Sequence, residues 1–349
     1  MEIEEVLSQA KKIWATIFAD SEDFINDYFN YVGKDNIIYL ENGTHIFGFC
    51  LLPVYNFSLF NDVIKADYIS GLCVANDERS KGYGKKLVNA AINQCYEKGH
   101  QVIFLVAQDN DLMQFYQQFG FANTCVNNNK VFKLKDVNEV FLDTHNLDFN
   151  YKTFLKNYDC GDIQSKKYIV HERKTLDLYF KSGYTFVNVI DDEDFSPGAI
   201  LIENDNNVNV IELNVKNQIQ KTILLSLIAD RYEKDVNYKE PLKEYNSEGI
   251  YLDIFNKSKR DIYQMMRVVD VNTCLAIFAA NHPYVDAVLK IEDEYIAENN
   301  KVVWVKEGEL IIFENTDNIP GQREIHDISI KRLTTLCFAN TYLSLLLDK

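Results

Sequence analysis

The chain has 349 residues, 47% hydrophobic and 25% charged, with only 14 Gly and 5 Pro, which excludes a disordered or low-complexity chain and leaves room for two or three domains. Fifty-two acidic against 36 basic residues give a net charge of −16, which argues against a nucleic-acid partner, because phosphate backbones are bound by clustered Lys and Arg; an acidic field suits cationic small molecules or simple solubility. Seven scattered cysteines without a C-x-x-C pair, an acidic N-terminus unlike a signal peptide and no apolar run near the roughly 20 residues of a membrane span imply a cytoplasmic chain with free thiols and no membrane partner.

In chain order, Ile3, Val6, Leu7, Ala10, Ile13 and Trp14 recur at helical spacing, and a second amphipathic run leads from Ser21 to Gly33. The stretches IIYL and THIFGFCLLPV read as a hairpin turned at Asn42-Gly43, and after a loop DYISGLCV (67–74) reads as a strand. Leu87, Val88, Ala91, Ile92 and Cys95 form one helical face, with Gly99 at a left-handed cap; QVIFLVA (101–107) has the continuous apolar character of a strand buried on both faces. The helix DLMQFYQQF ends at Gly120, and FANTC with KVFKLK reads as a closing hairpin. The result is an α/β layer with a mixed sheet.

A second unit with the same order starts near residue 146: helical runs FLKNYDCGD and TLDLYFKSG, strands AILIEN and NVIELNV, then the helix QKTILLSLIADRYEK. The remainder, YQMMRVVDV, the helix NTCLAIFAANHP, alternating segments turned at Glu307-Gly308 and the closing helix KRLTTLCFANTYLSLLL, reads as α+β. The expected domains are 1–145, 146–256 and 257–349.

Between ISGLCVA and the helix after it lies E-R-S-K-G-Y-G-K-K-L (78–87). Strand, glycine-bearing loop and helix form the arrangement in which backbone N–H groups converge on an anion, and Arg79, Lys81, Lys85 and Lys86 add charge. A G-x-x-x-x-G-K-[ST] loop would need Gly and Ser or Thr at the positions of Arg79 and Lys86, and a G-x-G-x-x-G fingerprint would need Gly at Leu87. Neither fits, and alone the R-x-x-G-x-G pattern serves equally as a basic turn. In the second unit VKNQIQKT stands where ERSKGYGKK would be.

The full run, YISGLCV, Arg79-x-x-Gly82-x-Gly84, amphipathic helix, VIFLVAQDN and Phe115-Tyr116-x-x-Phe119-Gly120-Phe121, resembles the GCN5-related N-acetyltransferase (GNAT) family. The resemblance implies acetyl-CoA as co-substrate and no metal. It puts Leu72, Cys73 and Val74 against the pantetheine arm, Arg79, Ser80, Lys81, Gly82, Tyr83, Gly84 and Lys85 around the diphosphate, and Asp109 and Asn110 on the coenzyme side. Tyr116 becomes the general acid for the departing thiolate, although Leu112, Phe115, Tyr116 and Phe119 also form a plain apolar helix face. An intact acetyltransferase unit, a second copy without its loop and an α+β end together resemble the enhanced-intracellular-survival-type enzymes: tandem GNAT-like domains followed by a sterol-carrier-like domain. That implies a trimer or hexamer and a chain-terminal carboxylate, here Lys349, as base toward the acceptor; the charged end of YLSLLLDK departs from the apolar or aromatic end common there.

The six histidines show no H-x-x-x-H or H-E-x-x-H spacing, so no metal is expected, and the acidic runs 191–195 and 291–295 read as solvated loops or as the mouth for a cationic acceptor. The expected activity is acetyl transfer to a primary amine, of a small cationic molecule or a lysine, by direct attack without an acyl-enzyme. The alternative is a non-enzymatic acyl-CoA or lipid-binding protein that works through its sterol-carrier-like end.

Overall fold

A computed structural model describes residues 1–60, 62–124, 127–158, 167–190, 196–241, 264–314, 319–321, 323–339, 341, 343 and 345. They divide into two compact units, one drawn from 1–124 and 262–339, the other from 125–261 and 340–349.

The first unit opens with α1 (Ile3–Phe18) and α2 (Glu22–Val32), the latter started by Ser21, whose hydroxyl accepts from the Phe24 N–H. Strands β1 (Ile37–Glu41) and β2 (Ile46–Leu51) pair antiparallel, with the positive backbone angle of their turn at Gly43 (φ 96°). Residues read from the sequence as a loop instead form β3 (Val54–Leu59), paired antiparallel with β4 (Asp62–Tyr68). The alternation of Val54-Tyr55-Asn56-Phe57 carries that strand signal, broken from β4 by Phe60 in the left-handed region (φ 58°). Next come β5 (Ser70–Val74), α3 (Tyr83–Glu97), β6 (Val102–Val106), α4 (Asn110–Gln117) and the short β7 (Ala122–Asn123).

On α3 the face read from the sequence, Leu87, Val88, Ala91, Ile92 and Cys95, is completely buried. Each large apolar side chain so buried contributes about 1.5–3 kcal/mol, enough to fix how the helix lies on the sheet. β6 is buried on both faces, as its continuous apolar run requires, with β4 parallel on one side.

The second unit contains β8 (Asn127–Phe132), α5 (Glu139–Thr144), β9 (Asn146–Asp148), α6 (Tyr151–Asn157), β10 (Lys167–Val170), α7 (Arg173–Lys181), β11 (Thr185–Ile190), β12 (Gly198–Glu203), β13 (Asn207–Asn214), α8 (Gln218–Tyr232) and β14 (Asp235–Pro241). Its sheet has the order β8-β14-β13-β12-β11-β9. The pair β13 and β14 is parallel and joined by α8, while β12 and β13 are antiparallel. β7 and β8, taken from the sequence as one hairpin, do not pair: β7 adds to β15 (Gln264–Val268) and β8 to β14. Local alternation fixes a strand but not its partner.

β15, which follows the boundary expected at residue 256, lies between β6 and β7 in the first unit's sheet. Beyond it come α9 (Val271–Asn281), β16 (Asp286–Glu292), β17 (Lys301–Lys306), β18 (Glu309–Phe313), β19 (Ile325–Ser329) and α10 (Ile330–Phe338), the strands forming a sheet ordered β18-β17-β16-β19. Glu307 and Gly308 both take positive φ at the β17–β18 turn. This segment holds the end of α4: Arg267, fully buried, donates to the Phe119 carbonyl (2.7 Å) and pairs with Asp293 (2.6 Å), and Tyr295 donates to the Gln118 carbonyl (3.2 Å). Asp293 therefore belongs to a buried ion pair, not to a solvated acidic loop or a mouth; residues 191–195 lie outside the described residues.

Candidate active site

β4 and β6 run parallel only as far as Tyr68↔Phe104, after which the Ile69 N–H donates to the Phe104 carbonyl (2.9 Å) and the strands part. β5 turns to β2, pairing Cys73 with Phe49 and Val74 with Gly48, while Leu105 and Val106 pair with Met265 and Gln264 of β15. Gly71 makes the turn possible: its φ is 60°, and a β-carbon there would lie 2.0 Å from the Trp14 ring. A fork between neighbouring strands, with a helix starting at its tip, opens a crevice beyond the strand ends, the kind of place where α/β sheets bind ligands.

At that tip the chain makes a short turn, Asn76–Glu78, and passes Arg79 in extended conformation and Ser80 in the left-handed region (φ 63°) before Gly82 (φ 80°, ψ 8°) starts α3. Gly82 offers no capping side chain, and the first turn contains no acidic residue. In an α-helix the first N–H groups have no intrahelical carbonyl; here the Lys86 N–H reaches back to the Gly82 carbonyl (3.2 Å), so those of Tyr83, Gly84 and Lys85 are directed out of the helix end. Backbone partial charge and the exposed Arg79, Lys81, Lys85 and Lys86 make this a positive patch on an acidic protein.

The side chains are partly committed. Arg79 donates through Nε to the Val74 carbonyl (3.3 Å), and Lys81 pairs with Glu78 (3.0 Å). Tyr83 packs against Phe47 with the rings tilted by 53° and their centroids 4.6 Å apart, and Lys86 Nζ lies 5.2 Å from the Tyr83 ring centre. A β-carbon on Gly84 would meet only Phe115 Cζ, at 3.6 Å, so its absence leaves the helix start close to α4 without being forced by packing.

Tyr116 is buried in the cluster that contains Ile69 and Leu105 from the two arms of the fork, with Leu72 and Val74 packed against it. Phe115 and Phe121 meet its ring edge-on at 5.2 and 5.9 Å. Burial pushes its phenol above the ordinary range, and Cys50 adds to the shift. Asp109 is spent on α4, capping it by accepting from the Leu112 N–H (2.8 Å), and Asn110 is the first residue of that helix. Lys349 lies outside the described residues.

The structure thus brings Leu72, Cys73, Val74, residues 79–85 and Tyr116 to one end of the sheet. Burial pushes the Cys73 thiol up to about 12 and raises that of Cys50 further, so neither is a ready nucleophile. Sequence reading missed the break at Ile69 and Gly71, although a glycine inside a strand pattern is its signal, and missed the Phe47–Tyr83 contact, which has no linear signature.

Residues 3–124 match the family model described as acetyltransferase (GNAT) domain. That match takes in the fork, the loop and Tyr116, and it supports an N-acetyltransferase enzyme over a purely lipid-carrying role. The whole fold is similar to a GCN5-related N-acetyltransferase from Anabaena variabilis (TM-score 0.70, 12% identity, covering 97% of this chain and 95% of that one). It is equally similar to one from Kribbella flavida (0.70, 12%, 99% and 98%), and is also similar to Eis1 from Mycobacterium abscessus (0.63, 10%, 95% and 86%). No curated protein matches the sequence.

Proposed function

We propose that the protein transfers the acetyl group of acetyl-CoA to a primary amine, of a small cationic molecule or a lysine side chain, by direct attack. The observation that carries this reading is the uncapped, cationic start of α3 at the tip of the strand fork. The diphosphate of the coenzyme rests on the N–H groups of Tyr83, Gly84 and Lys85 with Arg79, Ser80, Lys81 and Gly82 around it, and the pantetheine arm enters the fork along Leu72, Cys73 and Val74. The neutral amine attacks the thioester carbon, the C–S bond breaks, Tyr116 gives its proton to the leaving thiolate, and the amine proton passes to a base. The Lys349 carboxylate is the base assigned by the resemblance. Tyr116 has a proton to give at neutral pH, as any phenol does, and burial, which raises its pKa, makes it a weaker acid than a phenol in water.

The same reading takes 1–145 and 146–256 as two copies of one fold, supported by the parallel strand–helix–strand crossover in each, and 257–349 as a sterol-carrier-like addition, supported by the four-stranded sheet with α9 and α10. It further takes the protein to be cytoplasmic and to assemble as a trimer or hexamer. The test is a thermal shift with acetyl-CoA followed by a thiol-release screen over amines. Coenzyme-dependent stabilisation with amine-dependent thiol release is expected; no stabilisation by acetyl-CoA overturns the proposal.

A further inference from the structure

α3 ends in a Schellman motif: Gly99 takes φ 69° and its N–H donates to the Tyr96 carbonyl (2.9 Å), while the His100 N–H donates to the Cys95 carbonyl (3.0 Å). The motif brings the side chains of its C3 and C″ residues together, commonly as an apolar contact. Here those positions hold a thiol and an imidazole. Facing them from β4 is Asp67, fully buried, with Oδ1 2.7 Å from His100 Nδ1 and with Oδ2 buried and offered nothing better than the weak thiol donor of Cys95, which lies 3.4 Å from the Val102 carbonyl as well. One ligand atom from each of the three residues lies within 4.8 Å of the others.

We propose that Asp67, Cys95 and His100 bind one divalent transition-metal ion of the zinc type. An interior carboxylate with an oxygen so weakly served is costly, and a cation at that point satisfies it. Carboxylate, thiolate and neutral imidazole balance a doubly charged ion to zero, which suits a dry site. The mixed O, S and N donor set matches zinc, with a water completing the tetrahedron. A tetrahedral ion spaces such ligand atoms roughly 3.3–3.6 Å apart, between the 2.7 Å of the Asp67–His100 pair and the 4.8 Å that bounds the group. The His100 side chain is 17% exposed and marks the solvent side. With α3 15 residues long, the ion sits on the order of 20 Å from the loop at the other end. Its role is structural, pinning the helix end to β4. Motif searches miss it because Asp67 is distant in sequence and Cys95-x-x-x-x-His100 is not a zinc spacing by itself.

The experiment is a cobalt titration of full-length, untagged, chelator-treated protein. The expected result is a thiolate-to-cobalt charge-transfer band that saturates at one equivalent, disappears on addition of zinc and is lost in Cys95→Ser, together with a zinc-dependent rise in the wild-type melting temperature. Circular dichroism checks that the variant folds; the wild-type titration stands without it. No band with wild-type protein, or a band that survives in Cys95→Ser, overturns the site and leaves a His100–Asp67 hydrogen bond.

Discussion

The two units each contain a strand, a short loop and a helix leading to a parallel strand, and they treat the helix start in opposite ways. In the first, Gly82 begins α3 with a positive φ and no side chain to cap it. In the second, Asn217 begins α8 in extended conformation and accepts from the Gln220 N–H (2.9 Å), while the Gln220 side chain accepts from the Lys216 N–H (2.8 Å). Neither first turn contains an acidic residue, so the macrodipole is equally unopposed in both. What differs is who satisfies the orphan N–H groups: the chain itself at α8 and, in the proposed reading, the coenzyme diphosphate at α3. An anion site of this kind is closed by two side chains without any change of fold.

The sharpest way to break that comparison is the same substitution at the same helical position. Gly84 and Ile219 are the second residues of their helices. Gly84→Glu places a carboxylate where the diphosphate rests; at about 4 Å and an effective dielectric of about 20 this costs roughly 4 kcal/mol per charge pair, or about a thousandfold in affinity. The added β-carbon meets only Phe115, so the fold should hold. Ile219 is 67% exposed, and Ile219→Glu should leave acetyl-CoA binding unchanged while adding about 0.3–1 kcal/mol of stability at a helix N-terminus. Calorimetric titration with acetyl-CoA checks both; equal effects at the two sites would mean that α3 holds nothing.

This contrast was largely legible in the sequence, because Gly82-x-Gly84 with flanking Lys and Arg against Val215-Lys216-Asn217 is a local difference, and local chemistry sets a helix cap. The buried face of α3 was legible for the same reason. Strand partnership was not. β7 and β8 have the spacing of a hairpin, yet each joins a strand far along the chain, because edge pairing is decided by which apolar faces meet. Asp293 shows the limit for charge: within Ile-Glu-Asp-Glu-Tyr it reads as solvated, and only its remote partner Arg267 turns it into a buried ion pair that holds the end of α4.

Tyr116 belongs to the side of the comparison that carries the proposed chemistry. Tyr116→Phe preserves the apolar packing and removes only the proton donor, so kcat should fall about 10²-fold or more with acetyl-CoA binding unchanged. An unchanged kcat would reduce Tyr116 to a core residue. The pH dependence has a definite sign. Burial raises the folded-state pKa above the ordinary 10.0, so the stability gained by keeping the phenol protonated is fully present below about pH 10 and is lost as pH rises beyond it. Wild-type protein should therefore lose more stability than Tyr116→Phe between neutral pH and about pH 11, measured by denaturant midpoints.

The smallest effect is the most discriminating between a turn and a site. Asn217→Ala removes a cap and should cost the unit that contains it about 1 kcal/mol, with no change in acetyl-CoA affinity. Gly82→Ala should cost a similar amount, about 1–2 kcal/mol, for a different reason: nothing lies within 4 Å of the new β-carbon, but its φ of 80° disfavours any residue with one. Because the loop's N–H groups converge only in that conformation, relief of the strain turns them away, and acetyl-CoA binding should weaken with the stability loss. Two helix starts would then show matched losses in denaturation and unmatched losses in coenzyme titration. If Gly82→Ala binds acetyl-CoA as tightly as wild type, the left-handed glycine serves the chain's own turn and the diphosphate rests elsewhere.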